Sequence, residues 1–547
     1  MTTRPQGETS LERYDYIVVG GGSAGCVTAG RLVREFGATV LLLEAGPADA
    51  NRLIDMPAGF VKLLFRPSPF VTVYESEPQP SLDGRSVAIM QGTVLGGGSS
   101  VNAMTYTRGV PADYARWNEA AGGAGWDWNS LLPYFRKQEG NQRLNDGAHG
   151  VDGPLKVSDA HHPICDASRA FLLTLQTLGV NYTSDINGGI QEGVGLVQST
   201  TYKGRRCSAA RAFIDPIRRD SRLTLKCNVA ATRLLFEGSR AVGIEYVERN
   251  GPGPTRAYAN NEVVLTAGAY GTPKLLMLSG IGAAEQLGKL GIETRVDLPG
   301  VGQNMQDHCS VSLVARTNGA YGYFGEDRGP RMAINGLQYL LFGSGPVAST
   351  SSEVMAFVRT SDAGEEPNLQ LYCAPVMVPT PLLMPPPAHG LTLIANHVTP
   401  LSRGRMRLRS ADPAARPIIE PNYCADPRDL AALIDGIRYL RGVVEAAPMS
   451  RMIDRVLGPD PSIESDAELS AYCKATAATN FHPVGSCRMG LDSDPLAVLT
   501  PQLKVRGVTG LRVFDASMMP SIISANTNAP VMAVADRAVD LMMTGAA

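Results

Sequence analysis

Tyr14-Asp-Tyr-Ile-Val-Val-Gly-Gly-Gly-Ser-Ala-Gly-Cys26 places a hydrophobic strand, a glycine-rich turn and a helix start in one short segment. It reads as the opening of a dinucleotide-binding βαβ unit. Gly20 permits the tight turn, Gly22 lets backbone approach a pyrophosphate, and Gly25 lets the helix lie close to the strand, so that the helix N-terminus can hold phosphate. The apolar run Thr39-Val-Leu-Leu-Leu-Glu44 follows. Glu44 sits 19 residues after Gly25, where a carboxylate at a strand end accepts hydrogen bonds from the adenosine ribose hydroxyls and disfavours a 2′-phosphate. The motif alone does not separate FAD from NAD, and a tight strand-to-helix turn without ligand would use similar glycines.

A chain of 547 residues exceeds what one hydrophobic core usually serves, so two domains are expected. Hydrophobic residues make up 44% and charged residues 19%, ordinary values for a globular protein. With 50 basic and 52 acidic residues the net charge is −2, which offers no overall attraction to nucleic acid or to an anionic membrane and suits a small neutral ligand. No apolar run approaches the ~18 residues of a membrane span, and the polar start lacks the apolar core of a signal peptide, so a cytoplasmic protein is expected. Nine scattered cysteines without CxxC spacing argue for reduced thiols and against a disulfide scaffold or a zinc site.

Strands and helices alternate near the start, which predicts an α/β arrangement with a parallel sheet. Leu391-Thr-Leu-Ile-Ala-Asn-His397 and Arg405-Met-Arg-Leu-Arg409 read as antiparallel strands of a second domain. Near the end a strand, Gly510-Leu-Arg-Val-Phe-Asp515, precedes a helix opening at Asn528-Ala-Pro530, with Val531, Val534, Ala535, Ala538 and Leu541 on one face. The Pro-rich stretch 375–387 is too proline-dense for regular structure; it reads either as a hydrophobic lid or as a plain surface loop.

Gly92-Thr-Val-Leu-Gly-Gly-Gly-Ser-Ser-Val-Asn-Ala-Met-Thr-Tyr-Thr-Arg-Gly109 resembles the first signature of the glucose-methanol-choline (GMC) oxidoreductases, and Gly268-Ala-Tyr-Gly-Thr-Pro-Lys-Leu-Leu-Met-Leu-Ser-Gly-Ile-Gly282 resembles the second. The likeness continues through Gly204–Arg211, Asn422-Tyr423, Phe481–Gly490 and Asp515–Pro530, which is essentially the whole chain. It implies a discontinuous Rossmann-like FAD domain over 12–160, 205–310 and 470–547, and a substrate domain with an antiparallel sheet over 161–204 and 311–469. It also implies FAD contacts from Gly20, Gly22, Ser23, Ala24, Gly25, Glu44, Ala45, Thr93, Gly97, Ser99, Asn102, Ala103, Met104, Val229, Ala267, Asp515, Ala516, Asn526 and Thr527. Among these, Val229 would serve the adenine region, Asp515 and Ala516 the ribitol and pyrophosphate, and Asn526 to Asn528 the flavin ring.

Some relatives attach their flavin through a histidine in the first signature. Here that position is Val101, so FAD is expected to be non-covalent. The second catalytic position, histidine in some relatives, is Asn526, as in choline-type members. His482 is the expected base, since imidazole suits reversible proton transfer near neutrality, and histidines 149, 161, 162, 308, 389 and 397 read as structural or surface groups.

The expected activity is oxidation of an alcohol, primary and apolar or aromatic, to the aldehyde, with hydride passing to flavin N5 and oxygen or a quinone-type acceptor taking the electrons. The Pro-rich stretch and Tyr321-Gly-Tyr-Phe324 suggest the apolar preference. Two alternatives stay open: a hydroxynitrile-lyase-type enzyme with structural FAD, and a flavin-binding protein without turnover.

Overall fold

A computed structural model describes residues 12–159, 163–251, 253–360 and 364–545. His161 and His162 lie outside the described residues.

Two large sheets organise the chain. In the first, Leu223–Cys227, Val40–Glu44, Glu12–Val19, Pro254–Leu265 and Leu511–Val513 run parallel in that spatial order. The long Pro254–Leu265 strand also carries, on its earlier half, an antiparallel meander of Arg240–Glu248 and Val229–Glu237. Strands Val40–Glu44 and Glu12–Val19 are almost wholly buried toward their C-terminal ends, as expected for parallel strands covered on both faces. The covering helices are Ser23–Phe36 and Asn528–Met543, which pack on one another. The latter is buried on more than the predicted face: besides Val531, Val534, Ala535 and Ala538, its Met532, Ala533 and Asp536 are inside.

The second sheet is antiparallel, ordered Ile453–Gly458, Cys309–Thr317, Gly390–His397, Leu369–Ala374, Val354–Val358 and Gly193–Leu196. Its alternation gives two faces. Leu369, Leu371 and Cys373 point into a core shared with helices Asp166–Thr177 and Pro427–Glu445. Gln370, Tyr372, Met355 and Phe357 lie on the opposite face by the period-two rule, and Met355, Phe357 and Tyr372 form a smaller apolar cluster with Ile186 and Val197.

The sequence-predicted Leu391–His397 strand sits in the middle of this sheet. Arg405–Arg407 is also a strand, but it pairs with Ile418–Glu420 in a separate ribbon whose Met406 and Ile419 are buried in the core of the first sheet. All nine cysteines are free thiols. The Pro-rich stretch is an irregular loop, with Leu382 and Met384 turned outward.

Candidate active site

The opening turn forms as its glycines dictate. Gly20 has φ +108°, and a Cβ on Gly25 would stand 1.9 Å from the Gly20 carbonyl oxygen, so no larger residue fits there without moving the turn. The first signature folds directly onto this turn. Gly96 N–H donates to Gly21 O over 2.7 Å, and Gly97, at φ +54°, approaches Gly22 so closely that a Cβ would lie 2.7 Å from its Cα. The two glycine-rich segments, read separately in the sequence, thus make one surface.

Two helix N-termini reach this region. Gly22 and Thr527 are the N-caps of Ser23–Phe36 and Asn528–Met543; neither side chain caps its helix, and Ser23 Oγ donates to Asn528 Oδ1 over 2.8 Å. Uncapped N–H groups and the positive ends of two helix dipoles suit an anionic group. Glu44 ends its strand buried, its carboxylate accepting from Gly21 N–H at 2.9 Å and Gly46 N–H at 2.8 Å. Burial pushes its carboxyl up to about 7. Asn228 N–H donates to Gly46 O, bringing Val229 near Glu44, while Ala45 is exposed beside it. Thr93 stacks its backbone against Gly46, where a Cβ would meet the Thr93 carbonyl at 1.9 Å.

In the first signature, Ser99 Oγ donates to Gly96 O and accepts from Ala209 N–H. Asn102 Oδ1 accepts from Met104 N–H and from Arg206 Nη1, so buried Arg206 locks the loop; Ala103 follows half-buried, and Met104 takes a left-handed conformation at φ +61°. Ala267 caps the second-signature helix within 2.7 Å of where a Gly20 Cβ would lie. Asp515 differs from a freely offered ligand. Four donors already occupy its carboxylate, namely Gly268 N–H, Thr272 Oγ, Ser517 N–H and Ser517 Oγ, so it ties the second signature to the loop that presents Ala516. The position at Gly98 is open, with no heavy atom within 4 Å of where its Cβ would stand. Left-handed glycines, an open backbone position, two uncapped helix ends and a strand-end carboxylate together fit a dinucleotide. Val101 is buried with Ile54, Leu63, Phe70 and Val94 and presents only carbon.

His482 and Asn526 meet beside Gln370 and Tyr372 of the antiparallel sheet. Asn526 Nδ2 lies 3.3 Å from His482 Nε2. The Asn526 amide oxygen accepts from Thr107 Oγ at 3.0 Å and Gln370 Nε2 at 3.1 Å, which fixes which end of the amide faces the histidine. Tyr372 Oη is 3.3 Å from the same amide.

The buried His308, read from sequence as structural, is part of this site. Its Nε2 donates to Ile523 O at 3.0 Å, so its Nδ1 is the accepting nitrogen, and it lies 2.9 Å from His482 Nδ1. His482 must therefore carry its proton on Nδ1, leaving Nε2 with a free lone pair toward Asn526. Burial holds His308 well below its ordinary value and brings His482 down to about 4. Neighbouring Asp307 accepts from Tyr423 Oη, Thr479 Oγ and the His482 N–H, anchoring the backbone that carries His482. The adjacency of Asp307 and His308 just before a strand was the available sequence signal, but nothing in the linear chain links it to position 482.

Tyr321, Tyr323 and Phe324 are engaged elsewhere. Tyr321 packs on the antiparallel core, Tyr323 Oη donates to Glu353, and Phe324 meets His389 edge to face.

Family models of the GMC oxidoreductases, N- and C-terminal, match residues 14–310 and 400–535. The chain belongs to the GMC oxidoreductases. It is 39% identical over 537 residues to an alcohol dehydrogenase [acceptor] of Pseudomonas putida, covering 97% of this chain and 96% of the relative. It is 40% identical over 546 residues to the mitochondrial choline dehydrogenase of Homo sapiens, covering 98% and 91%. Among solved structures it resembles a variant of the formate oxidase of Aspergillus oryzae RIB40 made to follow the effect of mutation on FAD modification, with TM-score 0.89, 28% identity and 98% of each chain covered. As a GMC oxidoreductase the chain is an FAD-dependent enzyme acting on the CH–OH group of alcohols. No helix among the described residues is long and apolar enough to cross a membrane.

Proposed function

We propose that this GMC oxidoreductase oxidises a neutral, largely apolar primary alcohol to the aldehyde, with His482 as base and Asn526 as hydrogen-bond donor. The observation that carries the reading is the 3.3 Å approach of Asn526 Nδ2 to a His482 Nε2 whose lone pair is fixed by His308. A hydroxyl placed alongside the pair, within reach of both atoms, gives its proton to His482 Nε2, while Asn526 Nδ2 stabilises the charge that develops on oxygen. The new imidazolium keeps its Nδ1–H on neutral His308, so positive charge forms against an acceptor. FAD, when bound, supplies the hydride acceptor.

The apolar preference rests on the sheet face beside the pair. Tyr372 and Ile394 there, backed by the buried Met355 and Phe357, make that face aliphatic and aromatic. Gly20, Gly22, Ser23, Ala24 and Gly25 are read as the pyrophosphate turn, Glu44, Ala45 and Val229 as the adenosine end, and Ala267, Asp515 and Ala516 as the ribitol contacts. Thr93, Gly97, Ser99, Asn102, Ala103, Met104, Asn526 and Thr527 are read as holding the flavin end.

The experiment is anaerobic addition of an alcohol panel to the FAD-loaded enzyme, repeated with oxygen and with a quinone-type acceptor. Bleaching of the flavin band by apolar primary alcohols is expected, and the faster acceptor identifies the reoxidant. Absence of bleaching by every alcohol would favour a lyase or a non-catalytic flavoprotein.

A further inference from the structure

The helix Gly329–Phe342 is inside out. Its inward positions are Asn335 and Tyr339, one turn apart, while Ile334, Leu337, Leu340, Leu341 and Phe342 stand between 57% and 76% exposed. At 100° per residue Leu340, Ala333, Leu337, Leu341 and Ile334 fill one continuous outward arc. Scattered exposed leucines need no explanation, but a contiguous apolar helix face marks an interaction surface.

Two neighbouring elements extend this face. Helix Gly59–Phe65 adds exposed Val61 and Phe65, and its N-cap Ala58 donates N–H to Val347 O, just beyond the inside-out helix. The hairpin of Thr201-Tyr202 and Arg205-Arg206 touches the helix's C-terminal end, where a Cβ on Gly204 would lie 2.0 Å from Gly343 O. These two elements carry the cations. Lys62, Arg66, Lys203 and Arg205 are exposed and, among the described residues, make no ion pair, whereas the nearby acids Asp55, Glu326 and Asp327 are each paired with an arginine. A cleft of about 420 Å³ at the hairpin is lined by Lys156, Lys203, Arg205, Arg206 and Arg211.

We propose that this face seats the enzyme on an anionic lipid surface, the leucines entering the headgroup boundary and the unpaired cations meeting lipid phosphates. Charge decides the occupant. A two-fold contact with a second copy would set these like-signed clusters against each other, whereas an anionic bilayer complements both the apolar arc and its basic flanks. The location is independent of which alcohol is oxidised.

The test is flotation of the FAD-loaded protein with vesicles of phosphatidylcholine, alone or mixed with phosphatidylglycerol. The enzyme floats with the mixed vesicles, and raised salt weakens the association. L337E/L341E reduces partitioning by about tenfold or more, and K203E/R205E removes the preference for phosphatidylglycerol. Both variants retain FAD and the rate of flavin reduction by a water-soluble alcohol. Failure of the wild type to float with either vesicle overturns the proposal. So does sedimentation showing a dimer that L337E/L341E converts to a monomer, which would assign the face to a second copy.

Discussion

His482, the proposed base, belongs to a chain of three hydrogen bonds that sets where its proton lies. The Ile523 carbonyl fixes the tautomer of His308, His308 fixes that of His482, and the Asn526 amide faces the nitrogen left bare. H482A is expected to retain FAD and to slow anaerobic reduction by alcohol ~10² to 10⁴-fold in stopped flow, since that is what a positioned base contributes. An unchanged reduction rate would remove His482 from the mechanism. The pH profile follows from the same site. A base must be unprotonated, and burial lowers His482 to about 4, so the acid limb of kcat/KM for alcohol is expected near pH 4 rather than near the ordinary ~6.5. The linkage has matching sign: this depressed value contributes stability above pH ~6.5 that is lost as pH falls through about 4.

H308L removes the acceptor at similar side-chain volume and frees the tautomer. Flavin reduction is expected to fall by roughly one to two decades, as for other residues that orient a functional imidazole. Its pH profile should also change shape, which a purely structural loss would not produce. His482 was legible from its local motif, but His308 was not, because the 2.9 Å contact joins residues 174 positions apart.

At the scale of elements, the glycine turns and strand ends follow from local chemistry. The helix Ser23–Phe36 begins at Gly22 and ends at left-handed Gly37, as its sequence prescribes. What the linear pattern hides is the docking of Gly97 on Gly22. G97A forces a Cβ to within 2.7 Å of the Gly22 Cα at positive φ, so weaker FAD retention with little change in the chemistry of loaded molecules is expected in equilibrium titration. Val101 offers no bonding atom, so acid precipitation should release yellow cofactor into the supernatant; colour in the pellet would reveal another attachment point. The Arg405–Arg407 strand shows the opposite lesson. Its alternation correctly marked one buried face, yet alternation says nothing of which sheet the strand joins, and Met406 enters the other core.

At the scale of the molecule, the glycine-rich turn belongs to the parallel sheet, and the proposed catalytic pair is completed by Gln370 and Tyr372 of the antiparallel sheet. A ligand held by the native arrangement alone stabilises it by mass action, by about 2.7 kcal/mol at a hundredfold excess over Kd. Removal of FAD is therefore expected to lower the melting temperature, and titration with FAD to restore it; equal melting points for apo and holo protein would contradict a site that only the folded chain assembles. Sequence alone determined the parts whose physics is local: the glycine-rich turn, the acidic strand end, the two signatures and the alternating strands; it also supplied His482 and Asn526 as the residues of the proposed chemistry. Only the tertiary structure decided which segments meet. The partner that fixes the His482 tautomer comes from a segment 174 residues away in the chain, and the basic, apolar face is assembled from three separated elements inside a chain whose net charge is −2. Spacing along a chain reports local periodicity, whereas burial, tautomer and surface charge are set by neighbours that only folding brings together.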